Sequence, residues 1–102
     1  MQKTPLKPRR TQMSTLDPIV KKLYSQYKPD ERKTLLGKRE KLIAMIKSAF
    51  KHTGKPPATS LDFYWLRGLI GKGAFGKVHL GIQVLTGKKV ALKAIEKRRL
   101  KC

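Results

Sequence analysis

Apolar positions along the chain change their period once. Before about residue 54 they recur at helical spacing, and from residue 61 onward they alternate with polar ones. Ile19, Leu23 and Tyr27 fall at i, i+4 and i+8, which predicts a short amphipathic helix. Asp17-Pro18 is its start signal, with aspartate as N-cap acceptor and proline at the first helical position. Pro29 is expected to end it. A longer helix is predicted over 30–53. Leu35, Leu36, Leu42, Ile43, Ile46, Ala49 and Phe50 fall on one broad face of it, and Glu40, Lys41, Lys47, Ser48 and Lys51 on the other. Gly54 and Pro56-Pro57 stop it.

Beyond the linker the side chains follow the period of a strand. Residues 63–70 predict a first strand. Val78, Leu80, Ile82 and Val84 alternate with His79, Gly81 and Gln83, as in a strand with one buried face. Leu85-Thr86-Gly87-Lys88 supplies a turn, and Val90-Ala91-Leu92-Lys93-Ala94-Ile95 a third strand. The expected fold class is α+β: three antiparallel strands preceded by two helices. The expected organisation is a disordered basic tail (1–15), a helical extension (16–54), a linker (55–62) and a strand-rich segment (63–102) whose last residues, 96–102, begin a helix.

Charge narrows the partners only to anions. Of the 102 residues, 25 are Lys or Arg and 6 are Asp or Glu, a formal +19. The excess runs the whole length: residues 1–61 carry 15 basic and 4 acidic, and residues 62–102 carry 10 and 2. Such a balance attracts nucleotide, phosphoprotein, nucleic acid or acidic lipid without choosing among them. Cys102 is the only cysteine, so no intrachain disulfide forms, which fits a reducing, intracellular (cytoplasmic or nuclear) setting. No apolar run approaches the ~18 residues of a transmembrane segment. The basic start has no apolar stretch behind it, so no secretory signal is expected.

The candidate chemistry lies in Gly71-Lys72-Gly73-Ala74-Phe75-Gly76, a GxGxxG. Alone it is a weak signal, and its context separates the loops that share it. A dinucleotide fingerprint needs a helix opening at the third glycine, but the residues after Gly76 have strand period. A Walker loop needs Gly-Lys followed by Ser or Thr, but here Gly76-Lys77 is followed by Val78. A glycine-rich hairpin with no ligand would leave the following pattern unexplained. Val78 lies two residues beyond Gly76, and Val90-Ala91-Leu92-Lys93 ends in a lysine 17 residues beyond it.

Together these segments resemble the eukaryotic protein kinase family, matching its G-x-G-x-x-G-x-V loop and the V-A-I-K of its third strand. The resemblance covers residues 63–102 and implies the first part of a kinase N-lobe. It also implies ATP as ligand. The backbone of the loop, Gly71, Lys72, Gly73, Ala74, Phe75, Gly76 and Lys77, would lie over the phosphates, since a bare glycine lets N–H groups approach closely. By the same resemblance Ile70, Val78 and Ala91 would contact the nucleoside, Phe75 would close over the phosphates, and Lys93 would meet the α- and β-phosphates. Val78, Ala91 and Ile70 would also serve as ordinary sheet core. Gly71–Val78, then Leu85-Thr86-Gly87-Lys88, then Ala94-Ile95-Glu96-Lys97-Arg98, are most similar to serine/threonine kinases of the calmodulin-dependent and AMP-activated-like group; tyrosine kinases share the loop and the lysine.

The H-R-D catalytic loop, the D-F-G metal site and a helix glutamate to pair Lys93 are absent from these residues. Glu96, three residues after Lys93, is too close to be that partner. Mg²⁺ and a protein substrate are therefore expected only for a full-length parent, and this chain is expected to be inactive alone, as a truncated gene model, a fragment or a short splice product. No metal ligand set is expected. A three-stranded sheet with an open edge predicts marginal folding. The basic amphipathic helix within residues 28–54 is expected to pack on the strands or the first helix. Its other expected role is to bind calmodulin or another acidic partner, and the rival function is a basic binding module with a vestigial nucleotide loop. No nucleic-acid motif is present, and His52 and His79 stand alone.

Overall fold

The computed structural model describes residues 12–73 and 76–95. Ala74, Phe75, Glu96 and Cys102, with the rest of 96–102 and of 1–11, lie outside the described residues. A 3-10 turn at Met13–Thr15 leads into α1 (Pro18–Tyr24) and α2 (Pro29–Thr53); a second 3-10 turn, Leu61–Phe63, leads into β1 (Tyr64–Gly73), β2 (Gly76–Gln83) and β3 (Lys89–Ile95). The strands form one antiparallel sheet in the order β1-β2-β3. The fold is α+β, as the periodicity predicts.

The start of α1 follows the sequence signal: the Asp17 carboxylate accepts the Ile19 N–H at 2.9 Å, with Pro18 at the first helical position. Its buried face follows only in part, since Tyr27, just past the helix end, is buried as expected but Ile19 is not. Ile19 is 73% exposed, while Tyr24 is completely buried and Val20 and Leu23 half-buried. Pro29 does not end this helix, which stops at Tyr24; it opens the next one, in the position where its missing N–H costs nothing. Glu31 reaches back to the Lys28 N–H at 3.2 Å, satisfying a free donor of the first turn of α2. Gly54 ends α2, its N–H bonded to the Phe50 carbonyl at 2.9 Å.

The core joins the helices to the sheet. Leu16, Tyr24, Tyr27, Leu35 and Leu42 from the helical part meet Ile82 and Val84 from β2 and its exit. Leu35 is fully buried, and burying a leucine contributes ~1.5–3 kcal/mol. The packing expected of α2 is thus present, with Leu35 and Leu42 buried and Leu36 and Ile46 partly buried against the same core, while Phe50 at the end of the face is 50% exposed. Met13, inside the segment expected to be disordered, packs against this core.

Hydrogen bonds fasten the same junction. The β2–β3 connection presents its carbonyls to the helices: Tyr24 Oη donates to the Val84 carbonyl, Arg39 to that of Leu85, and Tyr27 Oη to that of Gly87 at 2.5 Å. Gln26 adds a longer bond of 3.4 Å to Gly87. Burial raises the pKa of both phenols above its ordinary value; at Tyr24 the nearby Arg39 opposes the rise, and at Tyr27 Glu31 adds to it. At β1, the Arg67 guanidinium lies 3.9 Å from the Trp65 ring centroid and pairs with Glu31 at 2.7 Å. Lys38 approaches the same ring at 5.9 Å.

Candidate functional site

The glycine loop is the tip of the β1–β2 hairpin. Gly73 pairs with Gly76 across it, Lys72 with Lys77, and Gly71 with Val78. β1 extends to Gly73, three residues past the strand end expected from the apolar pattern. Two register shifts, at Arg67 and at Ile70, put ten residues of β1 against eight of β2. Ile70 falls in the second bulge and is 58% exposed.

The three glycines differ in what the chain itself asks of them. Gly76 has φ 150°, a conformation that L side chains rarely adopt. Gly71 and Gly73 have no positive φ. A Cβ on Gly71 would meet nothing within 4 Å, and one on Gly73 only the Gly76 carbonyl at 3.8 Å, an ordinary contact. Folding therefore demands glycine at 76 but not at 71 or 73. What bare backbone provides there is room for an outside group to come close to the main chain.

Register collects the remaining candidates. Residues directly opposite in an antiparallel pair share a face. Val78 lies opposite Lys93 and Leu80 opposite Ala91. Val78, Ala91 and Lys93 therefore stand on one face, and Gly71 borders it through its pairing with Val78. Lys72 and Lys77 alternate onto the other face, so at the tip they offer backbone rather than side chain to the first. Ala91 and Lys93 are exposed and Val78 is half-buried. Among the described residues Lys93 makes no ion pair.

The same face carries Ile82 and Trp65 at its other end, where the helices cover it. One sheet face is thus divided: helices over the far half, and open ground around Val78, Ala91 and Lys93. The open half carries Val78, Ala91 and Lys93, the residues singled out by the resemblance. Residue spacing did not reveal the Trp65, Arg67, Lys38 and Glu31 cluster, whose members are 27 to 36 residues apart between α2 and β1. The described residues hold no group of three His, Cys, Asp or Glu that could bind a metal ion. No helix among them is long and apolar enough to cross a membrane.

No family model and no solved structure matches the chain. Curated proteins do. The chain is 42% identical over 57 residues to CBL-interacting protein kinase 25 of Oryza sativa subsp. japonica, covering 55% of this chain and 11% of that protein. It is 56% identical over 32 residues to the hormonally up-regulated neu tumor-associated kinase of Homo sapiens, 31% of this chain and 4% of the kinase. It is 48% identical over 46 residues to the serine/threonine-protein kinase Sgk3 of Mus musculus, 45% of this chain and 9% of that one. The chain thus spans about a tenth or less of the length of these relatives. Over that part it is related to protein kinases, and its α+β fold is consistent with part of a kinase N-lobe.

Proposed function

We propose that this chain is the ATP-binding segment of a serine/threonine protein kinase. The observation that carries this reading is the placement of Val78, Ala91 and Lys93 on one open face beside the glycine hairpin. Their residue types fit two parts of the ligand, the base and the phosphates. Val78 and Ala91 are small, apolar and flat against the sheet, suited to the face of a purine. The ammonium of Lys93 is a point charge for phosphate oxygens. Gly71 and Gly73 leave space in which those oxygens meet backbone N–H groups. Ile70 borders the base, and the backbone of Lys72, Gly73, Gly76 and Lys77 covers the phosphates.

ATP supplies the transferable phosphoryl group, and the residues of this chain bind and orient it. Transfer to a protein serine or threonine also needs a base and Mg²⁺ ligands, which these 102 residues do not contain. Activity, protein substrate and Mg²⁺ therefore belong to a longer kinase, acting inside the cell. The names of the relatives support the serine/threonine class.

ATP titration of the full chain tests the assignment. Gly73→Val and Lys93→Met should each weaken ATP binding by about tenfold or more, the equivalent of ~1.4 kcal/mol, while the unfolding midpoint stays unchanged. Gly76→Val is the contrast, since its φ makes it lower stability as well. Measurable ATP binding that neither Gly73→Val nor Lys93→Met reduces would remove the site from this face.

A further inference from the structure

The flank of α2 beside its buried face carries a second apolar row. Leu36, Ile43 and Phe50 are spaced by seven, and positions so spaced drift only ~20° per heptad around a straight helix. Leu36 and Ile43 are half-buried and Phe50 is half exposed. At its N-terminal end the row opens into a groove of about 510 Å³, where Met13, Pro29, Leu36 and Gly37 form apolar walls beside Arg32, Lys33 and Glu40. Lys33, Lys47 and Lys51 are exposed along the row.

We propose that this flank docks an acidic amphipathic helix of a partner protein, its apolar side chains seated on Leu36, Ile43 and Phe50 and its carboxylates on the flanking lysines. A seven-residue apolar repeat bordered by charge is the pattern along which one helix lies on another. Charge selects the partner. A second copy of this chain would set one cationic flank against another, whereas an acidic helix is complementary. Shape separates it from a bilayer: a concave groove accepts a projecting side chain, which a lipid surface cannot supply. A partner that wraps the whole helix, as calmodulin does its targets, would have to strip Leu35 and Leu42 from the sheet. A helix lying along the outer flank leaves that core intact.

The probe is a synthetic helical peptide a few heptads long, with leucine at the seam positions and glutamate beside them, titrated against the full chain. Its counterpart carries lysine in place of glutamate. The acidic peptide should bind and the basic one should not, with hydrogen-exchange protection gathered between residues 36 and 50. The double variant Lys33→Glu/Lys47→Glu alters only exposed side chains and should weaken binding about tenfold or more; Ile43→Asp should do the same. The proposal fails if the acidic peptide does not bind, if both peptides bind alike, or if Lys33→Glu/Lys47→Glu changes nothing. Binding to phosphatidylserine vesicles without binding to the acidic peptide also overturns it, and assigns the flank to a membrane surface.

Discussion

The ring of Tyr24 occupies the place where a side chain on Gly87 would have to go: a Cβ there would come within 2.7 Å of Tyr24 Cδ1. Gly87 also holds φ 83°, which disfavours any other residue. Gly87→Ala should therefore destabilise the chain by ~2–4 kcal/mol, combining left-handed strain with overpacking. Gly37→Ala, on the exposed side of α2 with nothing within 4 Å of the new methyl, should stabilise it by ~0.5–1 kcal/mol. Urea unfolding of the two variants reads the contrast directly.

The two phenols that hold the β2–β3 connection should respond unequally to removal. Tyr24→Phe strands the buried Val84 carbonyl, a loss of ~1–3 kcal/mol. Tyr27→Phe leaves the Gly87 carbonyl with its bond from Gln26, so its cost should be the smaller. Equal losses in denaturant melts would show that Gln26 contributes nothing there.

Both phenols have a pKa raised by burial, and the direction of the pH effect follows. Their neutral forms are favoured in the folded state. The contribution is fully present below the ordinary tyrosine pKa of ~10. It is lost as pH climbs from there through the folded values, because the unfolded chain releases those protons first. The thermal midpoint should fall above about pH 10, with two tyrosines ionising late in absorbance titrations. Tyr24→Phe should flatten that fall.

Glu31 bonds the Lys28 N–H with one oxygen and Arg67 with the other, so it couples the start of α2 to β1. The pair is partly open to solvent, which limits its worth. A double-mutant cycle with Glu31→Gln and Arg67→Met should give a coupling of ~0.5–1 kcal/mol that shrinks in high salt. A coupling that salt leaves untouched would mean that stacking of Arg67 on Trp65 carries the effect.

Local chemistry was legible in the sequence. Asp17 before Pro18, Gly54 after the last apolar turn, and the alternation through Val78, Leu80 and Ile82 each identify an element from neighbours alone, and the lysine of VALK points to the open face. Choosing the buried side of α1 was different. Ile19 and Val20 are equally apolar, and only the location of the β2–β3 connection decides that Val20 and Tyr24 turn inward. That connection is some 60 residues away from Tyr24 in sequence, beyond the reach of any periodic pattern. Pro29 was ambiguous for a similar reason: a proline ends one helix and begins another with the same fixed φ.

The two bulges of β1 give its hairpin a mechanical character. With two more residues than β2 over the same span, β1 bends, and each bulge adds right-handed twist. β1 is a curved outer strand clamped at one end, where Arg67 is held between Trp65 and Glu31. At the glycine tip β1 meets a β2 that is itself backed by β3, and the direction in which β1 arrives there is set in part six residues earlier, at an arginine that touches no part of the proposed nucleotide site.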